Sequence, residues 1–147
     1  MYKKEEEPKQ KSKTEDFAEQ IKKFSDLTEK SLKPEEYAKP DGWAESIAKE
    51  QKDKIKTAQL RKFFNKIKSL QRNKSDIKTI KLELIKLIPQ LAFAKGRNVI
   101  SKDFYDLLMA CIWGNNTCRI KSKEEFDNFV SFLEAIVAYH KFHSKGE

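Results

Sequence analysis

Basic side chains are concentrated in the middle of the chain, where phosphate-type anions are the ligands they suit best. Residues 57 to 100 contain eleven Lys or Arg residues against two acids, a net charge of +9. Residues 1 to 56 have fourteen basic and fourteen acidic residues, and residues 101 to 147 have six against seven, so the remainder contributes −1 to the total of +8. A local excess of this size indicates a polyanionic partner and says little about fold.

The helix that carries these cations decides what they can contact. Apolar residues recur from Leu60 to Leu70 with the spacing of an amphipathic helix, which we predict over residues 57 to 72. At about 100° per residue, the polar side carries two adjoining rows: Arg61, Asn65, Lys68 and Arg72 in the first, and Lys62 and Lys66 with Ser69 in the second. No acid stands among them to form an ion pair within the helix. Cations one turn apart suit a phosphate backbone.

Other interpretations of the basic face stay open. Most such faces are simply solvated, because Lys and Arg are good helix formers, and an acidic protein is another possible partner. A membrane-surface helix would have to expose apolar side chains that the core requires here. A DNA-binding regulator needs a base-reading helix. Because the basic face carries neither a helix-turn-helix nor an RNP-like signature nor an aromatic platform, we favour sequence-independent contact with a nucleic-acid backbone.

Metal binding and catalysis have little support in the sequence. Cys111 and Cys118 are spaced C-x6-C, and His140 and His143 are spaced H-x2-H, both unlike the usual zinc-finger spacings. We expect Cys111 to be a core residue and His140 a hydrogen-bonded, partly buried one. There is no nucleophile beside a base, no paired carboxylates in an apolar setting and no phosphate-binding loop. A non-catalytic protein without metal or cofactor is expected, with reduced thiols.

Composition predicts an all-α fold. The 147 residues include four Gly and four Pro, too few for a turn-rich β-fold, whereas Lys, Glu, Leu and Ala favour helix, so we expect a small bundle of about five to six helices. Residues 1 to 13 are almost without apolar side chains and are expected to be a flexible, charged, disordered tail before a single helical domain at 14 to 147. With no signal-peptide core and no apolar run near the roughly 20 residues of a membrane span, a cytoplasmic protein without membrane contact is expected.

Punctuating residues divide the domain into elements. The first helix is expected to carry an apolar stripe from Phe17 to Leu32 and to stop before a connector at 34 to 40. Asp41 and Thr57 are candidate N-caps of the next two helices. After a break at 73 to 76, we expect a helix from Ile77 that is kinked or split at Pro89 and ended by a left-handed Gly96. A further helix should run from the cap Ser101 to Trp113 and be followed by a turn at 114 to 118. The last helix should begin with a capping box of Ser122 and Glu125.

The chain contains the segments TAQLRKFF, LIPQLAFAKGR and FVSFLEAIVAYHK in this order, within residues 57 to 141. Together they resemble the small helical subunit of the type III-A CRISPR-Cas effector complex, the Csm complex. It implies a small all-α bundle with no catalytic activity, copies of which stack along the complex beside the subunits that hold the guide RNA. These copies help to hold target RNA paired to the guide, and other subunits cleave target RNA and DNA.

The resemblance also implies positions that contact RNA. The family's motif maps onto Gln59, Arg61 and Lys62 in the first segment and onto Lys95, Gly96 and Arg97 in the second. For Lys95 and Arg97, a favourable interaction with the helix dipole is an equally simple explanation. Gln59 can equally serve as a polar residue of the first helical turn. The chain departs from the family at Phe93, where the family often has Tyr.

Together these observations predict a non-catalytic, RNA-binding subunit of a type III-A CRISPR RNA-guided interference complex in antiviral defence. It is expected to contact the backbones of target RNA and CRISPR guide RNA without sequence specificity. The other expected partners are further Csm-complex subunits and copies of the chain itself. The alternative is a helical protein-interaction adaptor whose basic face binds an acidic partner protein.

Overall fold

A computed structural model describes residues 10 to 144, which form seven α-helices and one short hairpin. The elements are α1 Lys13–Lys23, α2 Pro34–Tyr37, α3 Trp43–Gln51, α4 Thr57–Arg72, α5 Ile77–Gly96, α6 Lys102–Ile112, β1 Trp113–Gly114, β2 Thr117–Cys118 and α7 Lys123–His143. The predicted all-α class is confirmed. There is one helix more than expected within these residues because α2 forms in the predicted connector, where Pro34 occupies the first helical position that proline favours.

The last helix, α7, lies at the centre of the core. It packs against α3 and α4, while α1 packs against α6 and α3. Its buried residues include Phe126, Phe129, Val130, Phe132, Leu133 and Ile136. The predicted cap is confirmed, since the Ser122 hydroxyl accepts the backbone N–H of Glu125 at 3.1 Å. Large apolar side chains on a capped, 21-residue helix therefore give the other elements a common surface to pack on.

The first helix is shorter than the sequence predicts. It ends at Lys23, and Leu27 and Leu32 are buried from non-helical chain. The Arg119 guanidinium donates to the carbonyl of Ile21 at 2.7 Å and also to that of Phe24. These carbonyls at the end of α1 are thereby satisfied without further helix. The prediction of a helix reaching Leu32 is wrong because a distant arginine ends it.

The start of α1 borders the predicted tail. Lys13, the last residue assigned to that tail, is the first helical residue, and Ser12 is its N-cap. The Ser12 hydroxyl donates to the Asp103 carboxylate at 2.9 Å, and the Glu50 carboxylate accepts the backbone N–H of Lys13 at 2.9 Å. The predicted tail is therefore too long at this end. Residues 1 to 9 of it lie outside the described residues.

The two helices of the basic segment form largely as predicted. α4 buries Leu60, Phe63 and Ile67 of its apolar stripe. α5 begins at the N-cap Asp76, whose carboxylate accepts the Thr79 N–H at 2.8 Å, and this bond lowers the pKa of the Asp76 carboxyl. The helix then runs through Pro89 without being split. α4 and α5 are therefore two continuous helices separated by a tight break.

The predicted left-handed residue at the end of α5 is misplaced. Gly96 is the last helical residue, Arg97 is the C-cap, and the left-handed conformation falls on Asn98 with φ of 59°. Asn tolerates this region better than most residues, because its short amide can hydrogen-bond locally. The turn after α5 therefore needs no glycine, and a Cβ on Gly96 would meet no atom within 4 Å.

Two predicted N-caps are also wrong. Gly42 rather than Asp41 caps α3, and Lys56 rather than Thr57 caps α4. Asp41 instead has a left-handed φ of 59° and donates its backbone N–H to Glu45 at 2.8 Å. The Glu45 side chain, in the first turn of α3, thus accepts a backbone N–H from the residue that precedes the N-cap. The capping residues Ser101 and Ser122 are confirmed.

We expect Gly42→Ala to lower the free energy of unfolding by roughly 1–3 kcal/mol. A Cβ at Gly42 would lie 2.3 Å from the Glu36 carbonyl oxygen and 2.8 Å from that of Lys39, so backbone would have to move. Urea denaturation followed by circular dichroism measures the change. The control is Gly96→Ala, which should be neutral or stabilising by less than about 1 kcal/mol. Equal destabilisation by the two substitutions would contradict this explanation.

Candidate nucleic-acid interface

Both predicted rows of α4 lie on its solvent side. Arg61, Lys62, Asn65, Lys66 and Arg72 are exposed, and Gln59 and Lys68 are half-buried. The rows face different neighbours. Lys68 Nζ lies 3.9 Å from the Glu134 carboxylate of α7, whereas Lys66 Nζ donates to the Gln90 side chain of α5. The first row therefore borders α7 and the second borders α5.

The row beside α7 is close to acidic side chains. Besides its contact with Glu134, Lys68 donates to Gln71 at 2.8 Å, and Gln71 in turn donates to Asp127 of α7 at 2.9 Å. The exposed ion pair of Lys68 with Glu134 contributes little to stability. The carboxylates of Glu134 and Asp127 nevertheless reduce the positive potential along this flank. Lys68 is therefore the least available cation of the row. Arg61 and Arg72 carry its remaining positive charge, and Asn65 adds a neutral polar group.

The row beside α5 opens into a groove without acids. We call it the α4–α5 groove: it lies between the first half of α4 and the last two turns of α5 and has a volume of about 450 Å³. It brings together four of the predicted site residues, namely Gln59, Lys62, Lys66 and Arg97. Among the described residues that line it there is no Asp or Glu. The groove therefore combines residues of both predicted segments into one cationic surface.

An aromatic side chain stands at the edge of this groove. Phe93 is 66% exposed, and the Arg97 guanidinium carbon lies 5.6 Å from the centroid of its ring. The arrangement follows from α5, which places residues four apart on one side while Leu84, Leu87 and Leu91 face the core. We expected no aromatic platform on the basic face. That holds for α4 alone and fails for the groove, because α5 supplies the ring.

Lys95 is not part of the groove. Its ammonium lies 4.8 Å from the centroid of the Tyr105 ring of α6, on another side of α5 from Phe93. Cation–π contact and the C-terminal end of the helix dipole both stabilise a lysine in this position. Of the three residues carried over from the second segment, Gly96 is the end of the helix and Arg97 alone lines the groove.

A second depression continues the seam between the two helices. It is lined by Ser69 and Glu83 among others, and it shares Lys66 and Gln90 with the α4–α5 groove. Glu83 lies 3.4 Å from Lys86, so this part of the seam contains a carboxylate and its own counter-charge. The Lys66–Gln90 hydrogen bond therefore lies between the α4–α5 groove, whose described lining has no acid, and the second depression, where Glu83 and Lys86 offset each other's charge.

The cysteine and histidine side chains do not converge on a metal site. Cys111 and Cys118 are free and buried, and burial raises the pKa of the Cys111 thiol to about 12. His143 Nε2 lies 2.8 Å from the Glu45 carboxylate. Across residues 10 to 144 no group of three or more possible metal ligands occurs. Cys111 is a core residue, as predicted.

His140 is more deeply buried than the sequence suggested. It is 1% exposed, and its Nδ1 lies 3.4 Å from the hydroxyl oxygens of Thr57 and Ser144. Its Nε2 has no hydrogen-bond partner among the described residues. The prediction of a satisfied histidine therefore holds for one ring nitrogen and fails for the other.

None of the helices within residues 10 to 144 has the length and apolar character needed to span a membrane.

Comparison with known proteins identifies the family. No curated protein and no solved structure matches the chain. The model of the family described as Csm2 Type III-A matches residues 34 to 146, which contain α2 to α7 and all the predicted site residues. The match begins before residues 57 to 141, which contain the three segments that resemble the family. The chain thus belongs to the Csm2 Type III-A family, the small subunits of the type III-A CRISPR-Cas Csm complex.

Proposed function

We propose that this protein is a non-catalytic subunit that holds RNA in the type III-A complex by contacting the phosphate backbone through the α4–α5 groove. The strands in question are target RNA and CRISPR guide RNA, and the process is antiviral defence in the cytoplasm. The observation that carries the proposal is the convergence of Gln59, Lys62, Lys66 and Arg97 on one groove with no acid among its described lining residues.

The spacing of the cations supports backbone contact. Lys62 and Lys66 are four residues apart on α4, which corresponds to about 6 Å along the helix axis. Both are exposed, so each can move to meet a phosphate without breaking core packing. Arg97 approaches from α5, and its planar guanidinium can bind a phosphate with two parallel hydrogen bonds. Contacts of this type carry no base information, which supports binding without sequence preference.

The chemistry of the described side chains supports a role outside catalysis. The Cys111 thiol is buried, and burial raises its pKa to about 12, so it stays protonated. Thiolates rather than thiols act as nucleophiles. The polar side chains of the groove are amides, ammonium groups and a guanidinium, which bind and orient anions. We assign cleavage to other subunits of the complex on this basis.

The alternative is a protein-interaction adaptor whose basic face, with Arg61 and Arg72 exposed on α4, binds an acidic partner protein. Separately from that face, Leu82 and Ile85 on α5 are 52% and 38% exposed, and this apolar surface suits a protein neighbour such as another Csm subunit or a second copy of the chain. The two functions separate in a pull-down with and without nuclease. Association that survives nuclease and is lost on neutralising the basic face favours the adaptor.

We expect the double substitution of Lys62→Gln with Lys66→Gln to weaken binding of single-stranded RNA several-fold. Two lost phosphate contacts should reduce the slope of log affinity against log salt by about 1.4. Fluorescence anisotropy of a labelled RNA at several salt concentrations gives both quantities. The matched control is Lys30→Gln with Lys33→Gln, which removes the same charge at exposed positions outside the groove. Unchanged affinity and slope in the groove variant would refute the site.

Lys68→Gln should have a smaller effect than Lys62→Gln on the same salt dependence. Lys68 is half-buried and lies beside Glu134, whereas Lys62 is exposed in the groove. We expect the slope to fall by about 0.7 for Lys62→Gln and to stay nearly unchanged for Lys68→Gln. If the two slopes fall equally, the strand follows the α7 side of α4 as well, and the groove is not the principal contact.

A further inference from the structure

Phe93 is a large, exposed apolar side chain in the lining of the cationic α4–α5 groove. Its ring is 66% exposed at the edge of the α4–α5 groove, although the same helix buries Leu87, Leu91 and Ala94 completely or nearly so. Scattered apolar residues on a surface need no explanation. This ring differs because Arg97, the C-cap of the same helix, contacts it and because it lines one groove with Lys62 and Lys66 of α4. Its position therefore suits a ligand with both a flat apolar part and negative charge.

The groove offers complementary groups for such a ligand. The Arg97 guanidinium lies 5.6 Å from the ring centroid on one side, and Lys62 and Lys66 line the groove from α4 on the other. Aromatic rings stack with nucleic-acid bases of any identity, and neighbouring cations then contact the phosphates on either side of the stacked base. The groove has a volume of about 450 Å³, which lies within the size range of small-ligand sites.

A protein segment is the competing occupant, and the charges argue against it. The exposed residues Leu82 and Ile85 belong to the same helix but precede Phe93 by eleven and eight residues, or about 16 and 12 Å along the axis. Neither lines the α4–α5 groove. An apolar peptide lying over the groove would remove water from Lys62, Lys66 and Arg97 without pairing their charges, whereas the phosphates of a nucleic-acid strand would pair with them.

We propose that Phe93 is a stacking platform for one unpaired RNA base, whose adjoining phosphates are bound by Lys62, Lys66 and Arg97. This inference rests on the proposed RNA-binding function and adds a preference to it. A strand that presents a free base binds more tightly than one of equal charge that has none. Because stacking tolerates every base, the site gains affinity without gaining sequence specificity.

The test compares two single strands of equal length and charge, oligoadenylate and an abasic oligomer, against the full chain. Phe93→Ala should weaken oligoadenylate binding roughly 5- to 150-fold and leave the affinity for the abasic oligomer and the salt slope unchanged. Phe93→Trp should retain the wild-type preference, because its ring also stacks. The matched control is Leu82→Ala, which removes an exposed apolar side chain of the same helix outside the groove and should change neither affinity.

The outcomes separate this inference from the function on which it rests. If the wild-type chain binds neither strand, or if neutralising Lys62 and Lys66 changes nothing, the proposed function fails and the stacking site with it. If the wild-type chain binds with the expected salt dependence and Phe93→Ala binds oligoadenylate equally well, stacking alone is overturned. Equal losses for both strands, or a loss in Leu82→Ala as large as in Phe93→Ala, would also overturn it.

Discussion

The burial of one side of α4 against α7 determines where the cations point. Leu60 and Ile67 are each 1% exposed and Phe63 is 4% exposed. Withdrawing three such side chains from water stabilises this orientation by several kcal/mol, on the order of 1.5–3 kcal/mol each. Since a helix has a fixed period, the opposite side must then face solvent, and the basic rows occupy it. Core packing and the binding surface are therefore two consequences of one arrangement.

Neighbouring helices then make the two rows unequal. The flank beside α7 meets Glu134 and, through Gln71, Asp127, while the flank beside α5 opens on a groove whose described lining contains no carboxylate. Charges within a few ångströms decide the local potential, because longer-range terms are screened by salt. Two rows that are both basic in sequence therefore differ in their ability to hold an anion. The family assignment gives that anion a context, the RNA-guided complex to which Csm2 subunits belong.

How much the sequence predicts depends on whether a feature is local. The stripe of α4 and the cap at Ser101 depend on residues within a few positions, and both were predicted correctly. The end of α1 depends on Arg119, 98 residues after the Ile21 carbonyl that it binds, and no local pattern reports it. The groove has the same origin, since Lys66 and Gln90 meet across 24 residues. Phe93 was recognisable as lying off the buried face of α5, but its place beside the α4 cations required the packing of two helices.

In the proposed function, RNA lies along the α4–α5 groove in the assembled complex. The most direct measurement is photo-crosslinking of the purified complex carrying 4-thiouridine in its target RNA, with the crosslinked residues located by mass spectrometry. We predict crosslinks to this subunit within residues 59 to 66 and 89 to 97, the two sides of the groove. Crosslinks confined to α1, α3 or the α7 side of the subunit would contradict the account.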